Sequence, residues 1–187
     1  FGLKIVDTQS YGGFMLTLII GITGIAASLP IGIMLALGRQ SRLFSIRIIC
    51  VCFIEFLRGV PLIMFIFWVY FFVPLLIGHT VSGFTTMLVT LVIYQAAYLA
   101  EIVRAGIEGL PKGQSEAARA VGLSYMQAMR RVILPQALYN MVPAMISQFV
   151  STIKETSLGY VISVNELTCA ASQINSTLLT KPFQVFV

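Results

Sequence analysis

Residues 101–137 read EIVRAGIEGLPKGQSEAARAVGLSYMQAMRRVILPQA, a charged stretch that interrupts long apolar runs. The stretch predicts two short helices joined at Gly122, because glycine readily takes the left-handed conformation that ends a helix. The run before it, residues 59–100, holds no charged side chain. A bilayer core requires about 20 apolar residues for each helical span. The stretch is therefore predicted to be a polar loop between membrane spans, where a soluble partner could dock.

The composition also indicates a membrane protein. The chain is 58% hydrophobic and 10% charged, with a mean hydropathy of +0.92, whereas soluble domains carry about 25% charged residues. Residues 8–38 form a second run without charge. Neither run alternates with the period of two that a membrane β-strand shows. We therefore predict an all-α, polytopic membrane helix bundle.

Four membrane spans are predicted, and a fifth is expected to begin near Phe183. The spans cover approximately residues 14–37, 48–73, 84–103 and 138–161, and the polar loop covers residues 104–135. The chain begins with Phe1 and not with methionine. It is therefore expected to be a fragment, residues 1–187, of one transmembrane domain whose last span is truncated.

The basic residues predict the orientation of the chain. Eight of the twelve Lys and Arg residues lie in the loops after the first and third spans, namely Arg39, Arg42, Arg47, Arg104, Lys112, Arg119, Arg130 and Arg131. Short loops rich in Lys and Arg remain in the cytoplasm. The N-terminus is therefore expected outside the membrane and the polar loop inside.

The first helix of the polar loop is predicted from capping signals. Ser115 can cap a helix that begins at Glu116, where the helix dipole favours a carboxylate. Gly122 can close that helix as the left-handed residue after its C-cap.

A second helix is predicted to begin at Ser124. Gln127, three residues further on, completes a capping box with this serine, and the helix is expected to end before Pro135. The spacing alone leaves two interpretations open, a docking corner for a partner or an amphipathic connector on the membrane surface.

The residues at this corner resemble the EAA motif of ABC importer permeases. The matching residues are Glu116, Ala117, Ala118, Gly122 and Pro135. The resemblance implies a type I importer permease fold, in which this loop is a coupling helix inserted into a cleft of an ATPase subunit.

Four further segments are similar to the permeases of polar amino-acid importers. They are EFLRGVPL at 55–62, AYLAEIVR at 97–104, LPQA at 134–137 and IKETSL at 153–158. Two residues depart from the family pattern, Glu155 where Asp is commoner and Ile153 where Leu is commoner. The resemblance implies about five spans and an ATP-driven importer of histidine, glutamine or glutamate type in the bacterial inner membrane.

The same resemblance implies the partners of the chain. It predicts that the chain is not an enzyme and holds no cofactor, and that ATP and Mg²⁺ bind to partner ATPase subunits. A second permease subunit, identical or homologous, is expected to complete the path. An extracytoplasmic amino-acid-binding protein is expected to deliver the substrate.

Polar groups within the predicted spans are candidates for the substrate pathway. These are Arg58, Tyr98, Glu101, Lys154, Glu155, Thr156 and Ser157. Charged groups in a bilayer are rare, and they usually face a cavity or one another. Glu55 and Arg58 lie three residues apart and can pair on one helix face. An amino-acid substrate could meet these charges, or they could form internal structural pairs, and both interpretations stay open.

Other functional classes explain the sequence less well. An ion-gradient-driven secondary transporter or channel would account for the spans and the intramembrane charges, but not for the helix–glycine–helix loop. A membrane scaffold would leave Lys154 and Glu155 unexplained. The sequence has no P-loop for ATP. Cys50 and Cys52 point to different faces of a helix, so they cannot share a metal ion.

Overall fold

The structure, a computed structural model, describes residues 12–177. These residues form helices joined by short turns, in the order α1 (Gly13–Arg39), α2 (Phe44–Gly59), α3 (Leu62–Ile77), α4 (Gly83–Glu108), α5 (Lys112–Ala120), α6 (Tyr125–Ala128), a π-helical segment (Met129–Ile133), α7 (Leu134–Glu155), a 3₁₀ helix (Thr156–Ile162) and α8 (Leu167–Thr177). Residues 12–177 contain no strand. The predicted all-α fold is confirmed.

Within residues 12–177, two helices are long and apolar enough to cross a membrane. They are α1 and α4, which contain the predicted first and third spans. Helices α2 and α3 add a third crossing if they are counted together as one broken span. The chain is therefore a membrane protein.

The predicted second span, 48–73, is not one continuous helix. Helix α2 ends at Gly59, and α3 begins at Leu62 after Pro61. Proline disfavours a helical conformation in the residue before it, here Val60, and itself lacks a backbone N–H. The sequence therefore carries a local reason for the break.

The predicted fourth span, 138–161, falls on α7 and the 3₁₀ helix. This segment is not among the helices of 12–177 that satisfy the length and hydropathy criteria for a span. Its polar side chains, such as Asn140, Gln148 and Lys154, lower its hydropathy. The expected fifth span near Phe183 lies outside the described residues.

The chain divides into two units, and each is described by itself. The first contains residues 12–27, 60–93 and 151–177, and the second contains residues 28–59 and 94–150. In the first unit, α1 and α8 approach closely at Gly13. A Cβ atom built on Gly13 would lie 2.7 Å from Ala170 Cβ and 2.8 Å from the Glu166 carbonyl oxygen.

In the second unit, parts of α1, α2, α4 and α7 enclose an apolar core. The buried residues of that core are Ala36, Ile54, Ala100, Val103, Ala137 and Met141. A Cβ atom built on Gly32 of α1 would lie 2.8 Å from Leu99 Cβ in α4. Small residues at such contacts let membrane helices pack backbone against backbone. The core brings the polar loop and the charged ends of α1, α2 and α4 into one unit.

Candidate functional site

The helix–glycine–helix corner is present in the second unit. Gly122 has a φ of +82°. The Gly122 N–H donates to the Arg119 carbonyl (2.9 Å), and the Leu123 N–H donates to the Ala118 carbonyl (3.1 Å). This pair of hydrogen bonds is the Schellman motif, which closes a helix after a left-handed glycine. The prediction that Gly122 closes the first helix as a left-handed residue is confirmed.

The capping box at Ser124 is also confirmed. The Gln127 N–H donates to Ser124 Oγ (3.4 Å), and the Ser124 N–H donates to Gln127 Oε1 (3.0 Å). Local hydrogen bonds thus fix both sides of the corner. Those of Gly122 and Leu123 close the first helix, and those between Ser124 and Gln127 start the second.

The predicted start of the first helix is wrong. Helix α5 begins at Lys112 directly after Pro111, so Ser115 and Glu116 lie inside it. The Ser115 hydroxyl donates to the Lys112 carbonyl (2.8 Å) and caps nothing. Proline disfavours a helical conformation in the residue before it, here Leu110, so α4 and α5 are separated at this point. Helix α5 therefore begins one turn earlier than predicted.

The predicted end of the second helix is also wrong. The chain stays helical through Pro135, because the π-helical segment Met129–Ile133 comes directly before it. The Leu134 N–H donates to the Met129 carbonyl, five residues back. A proline in an α-helix lacks the N–H for the carbonyl four residues back and clashes with it. A wider turn before Pro135 accommodates this defect.

The exposed face of the corner is partly apolar. Val121 is 77% exposed, and Tyr125 and Met126 are also largely exposed, whereas Ala118 is only 4% exposed. Glu116 and Ala117 are exposed. Sequence reasoning missed Tyr125 and Met126. Two large apolar side chains in a polar loop were the signal available for them.

A cavity of about 530 Å³ lies beside this corner. Its lining residues come from the end of α4, from α5 and from the α6 region, and they include Glu108, Lys112, Arg119, Tyr125 and Met129. The corner therefore presents exposed apolar and charged side chains beside a concave surface.

Three arginines and three glutamates form a second feature of this unit, called here the arginine–glutamate cluster. Its members lie at the end of α1, in α2 and in α4, and they are Arg39, Glu55, Arg58, Glu101, Arg104 and Glu108. Arg39 Nη1 lies 2.9 Å from Glu55 Oε1 and 3.2 Å from Glu101 Oε2. Three positive and three negative charges make the cluster formally neutral.

Glu101 is the centre of this cluster. It accepts hydrogen bonds from Arg39 and Arg104, and Arg58 Nη1 lies 3.8 Å from its Oε2. The Glu101 side chain is 19% exposed. Arg58 and Glu55 also pair at 3.9 Å, as their spacing predicts. The Arg58 guanidinium carbon lies 5.9 Å from the Tyr98 ring centroid. The structure thus brings together three predicted pathway residues, Arg58, Tyr98 and Glu101.

The other four pathway candidates lie in the first unit, where α7 becomes a 3₁₀ helix. The Thr156 hydroxyl donates to the Ile153 carbonyl (2.7 Å), and the Ser157 hydroxyl donates to the Lys154 carbonyl (2.7 Å). Thr156 is buried, Glu155 is half-buried, and Lys154 is exposed. Both hydroxyls thus satisfy backbone carbonyls at the end of α7.

Glu166, which is a buried carboxylate in the structure, was not identified from the sequence. Glu166 is 1% exposed and accepts from the N–H groups of Thr168 (2.8 Å) and Cys169 (3.0 Å). Thr17 Oγ1 accepts from the Leu167 N–H (3.1 Å). An acidic residue just before a helix was the available signal, because carboxylates stabilise helix N-termini.

Comparison with protein families identifies the class of the chain. Residues 28–185 match the family described as "Binding-protein-dependent transport system inner membrane component". The chain belongs to this family. The resemblance inferred from the EAA motif is therefore confirmed, and the chain is a member of the transport permeases.

Curated relatives of this permease carry related names. It is 43% identical over 175 residues to the inner membrane amino-acid ABC transporter permease protein YhdY of Escherichia coli, covering 92% of this chain and 48% of that protein. It is 44% identical to the transport system permease protein BztC of Rhodobacter capsulatus, named for glutamate, glutamine, aspartate and asparagine, covering 82% of this chain and 36% of that protein. The chain thus spans about half or less of these two relatives. It is 36% identical to the probable glutamine ABC transporter permease GlnP of Bacillus subtilis, covering 88% of this chain and 75% of that protein.

Solved structures have the same fold as this permease. The crystal structure of an amino acid ABC transporter with histidines aligns with a TM-score of 0.86 at 32% identity, covering 98% of this chain and 88% of that chain. An inward-facing MetNI methionine ABC transporter structure aligns with a TM-score of 0.68 at 24% identity, covering 92% of this chain and 82% of that chain, and supports the fold alone. The fold is that of the type I ABC importer permeases.

Proposed function

We propose that this chain is the permease subunit of an ATP-driven ABC importer that moves polar L-amino acids across the bacterial inner membrane. The observation that carries the proposal is the exposed corner at Gly122, with Val121, Tyr125 and Met126 open to a partner. Family membership and the amino-acid names of the relatives support the same function. The subunit itself does no covalent chemistry.

The proposed partners follow from this role. Two ATPase subunits bind the coupling corner, which is formed by Glu116, Ala117, Gly122 and the exposed apolar residues beside them. ATP and Mg²⁺ bind to those subunits. A second permease completes the path, and an extracytoplasmic binding protein delivers the amino acid. The distribution of Lys and Arg supports an orientation with the N-terminus outside and the corner in the cytoplasm.

The substrate contacts are proposed at two places. In one unit, Tyr98 and Arg58 flank the arginine–glutamate cluster, in which Glu101 already binds arginine side chains. In the other, Glu155 lies at the end of α7, beside Thr156 and Ser157. Of the carboxylates, we take Glu155, at the end of α7, as the candidate for a substrate ammonium.

The decisive experiment is reconstitution of the transporter from this permease and its partner subunits. We expect ATPase subunits to co-purify in detergent, and we expect their hydrolysis to rise when a binding protein and its polar amino acid are added. A screen across amino acids identifies the substrate. Uptake that needs no ATP and collapses with the ion gradient would instead establish a secondary transporter.

A further inference from the structure

Two arginines, Arg42 just before α2 and Arg47 in its first turn, differ from the arginines of the cluster. Among the residues that the structure describes, Arg42 and Arg47 have no carboxylate oxygen within 4.0 Å. Arg39, only three residues before Arg42, contacts both Glu55 and Glu101. The cluster is neutral within itself, so it offers no excess negative charge to these two cations.

The side chains around Arg42 and Arg47 are large, apolar and exposed. Residues 42–49 are exposed on every face of the chain. The apolar ones are Leu43, Phe44, Ile46, Ile48 and Ile49. Phe44 is 66% exposed, and the guanidinium carbon of Arg47 lies 6.0 Å from its ring centroid, within the range of a cation–π contact. One short segment therefore presents two cations within an apolar surface.

The combination of exposed cations and exposed apolar side chains restricts which kind of molecule can cover this segment. Hydrocarbon tails would cover the apolar side chains but leave two guanidinium charges without counterions, which is costly. An acidic soluble surface would meet the arginines but leave the exposed apolar side chains uncovered, and such patches mark protein–protein or membrane contacts. An anionic phospholipid satisfies both, because its net negative headgroup meets the arginines and its acyl chains meet the apolar groups.

We propose that residues 42–49 form a binding site for an anionic phospholipid, with Arg42 and Arg47 on the headgroup. The site is separate from the coupling corner. The proposal requires that the chain lies in a membrane with this segment open to lipid, and it does not depend on which substrate the transporter carries.

The test uses the complete transporter in nanodiscs that contain phosphatidylcholine and phosphatidylglycerol. A photo-crosslinking amino acid replaces Ile46, and the captured species is identified by mass spectrometry. We expect capture of phosphatidylglycerol in excess of its share of the bilayer. Equal capture of the two lipids, or capture of an ATPase or permease chain, overturns the proposal.

Charge variants then assign the capture to the two arginines. Arg42→Gln with Arg47→Gln is expected to lower phosphatidylglycerol capture at least about fivefold, since one cation near an anionic surface contributes roughly 1 kcal/mol. Arg42→Lys with Arg47→Lys is expected to retain most of it. The matched control, Arg130→Gln with Arg131→Gln, removes two exposed cations elsewhere and is expected to leave capture at position 46 unchanged. An unchanged double-Gln variant, or an equal loss in the control, refutes the site. The capture ratio in the chain with native arginines decides the proposal even if the double-Gln variant fails to assemble.

Discussion

Gly122 determines the corner through its backbone conformation and not through crowding. Its φ is +82°, yet a Cβ atom built there meets nothing within 4 Å. Gly122→Ala is expected to strain the corner by about 1 kcal/mol. It should weaken assembly with the ATPase or uncouple hydrolysis from transport, while membrane insertion stays normal. Co-purification and the coupling ratio measure this effect.

Gly113 supplies the matched control for that prediction. It lies in α5 with equally open space around its Cβ position and no positive φ. Gly113→Ala is therefore expected to be neutral or to stabilise by about 0.5–1 kcal/mol. Gly122→Asn should behave better than Gly122→Ala, because asparagine tolerates the left-handed region. If the Gly122→Ala variant couples ATP hydrolysis to transport normally, the conformation of Gly122 is not needed for contact with the ATPase.

Glu155 is the residue on which the proposed substrate contact can be tested. Glu155→Gln keeps the shape and removes the charge, so it is expected to reduce uptake strongly while basal hydrolysis and assembly persist. Glu155→Asp should be mild, since the resembled family commonly has Asp there. Yield, assembly and uptake are measured on one preparation. A purely structural role predicts low yield, and undiminished uptake by an assembled Gln variant excludes both roles.

Glu101 and Glu108 both bind Arg104, but only Glu101 also serves Arg39 and Arg58. The Glu108 side chain is 55% exposed, against 19% for Glu101. Glu101→Gln is expected to destabilise the protein by roughly 2 kcal/mol, and Glu108→Gln by less than about 1 kcal/mol. Thermal melting in detergent compares the two variants. Equal losses would mean that Glu101 is not the centre of the cluster.

At the scale of elements, the π-helical segment links the corner at Gly122, our proposed ATPase contact, to α7. Pro135→Ala restores a backbone N–H, so the segment is expected to relax toward α-helical spacing and shift the register between α6 and α7. Coupling of hydrolysis to uptake should fall, with little loss of stability. Pro143→Ala is the control, because it removes a proline from the same helix where no π-helical segment precedes it. If both variants couple normally, the π-helical segment has no role in coupling.

Local signals in the sequence predict the elements built from neighbouring residues. The Schellman motif at Gly122 and the capping box at Ser124 need only residues within five positions, and both are confirmed. The effects of Pro111 and Pro135 on the helix boundaries were harder to predict. Whether a proline starts, ends or merely widens a helix depends on the packing of the flanking segments.

Long-range partners were beyond the sequence signal. Arg39 and Glu101 are 62 residues apart, and only the shared packing of α1 and α4 brings them together. The pairing of Glu55 with Arg58, three residues apart on one helix, could be predicted. For the same reason the buried cap at Glu166 was missed, since its burial depends on α1 packing against α8.

At the scale of the whole molecule, the proposed orientation can be tested by labelling. In a chain whose Cys50, Cys52 and Cys169 are replaced, a cysteine at Gln114 should react only with reagents on the cytoplasmic side. A cysteine at Ser172 should react only from outside, because the basic loops are retained inside. Impermeant maleimides on intact cells and on inverted vesicles measure both positions. Labelling of position 114 in intact cells would show that the orientation is the opposite of the one proposed.

The start of α8 has a consequence for how cargo is held. A helix N-terminus normally attracts a carboxylate through its unpaired N–H groups. Here the first three are occupied, one by Thr17 and two by Glu166, and the cap is internal and negative. The amino end of α8 is therefore closed to a zwitterion's carboxylate, because its first N–H groups already have acceptors. A carboxylate held near this helix would therefore need its hydrogen-bond donors or counter-charge from groups other than the amino end of α8.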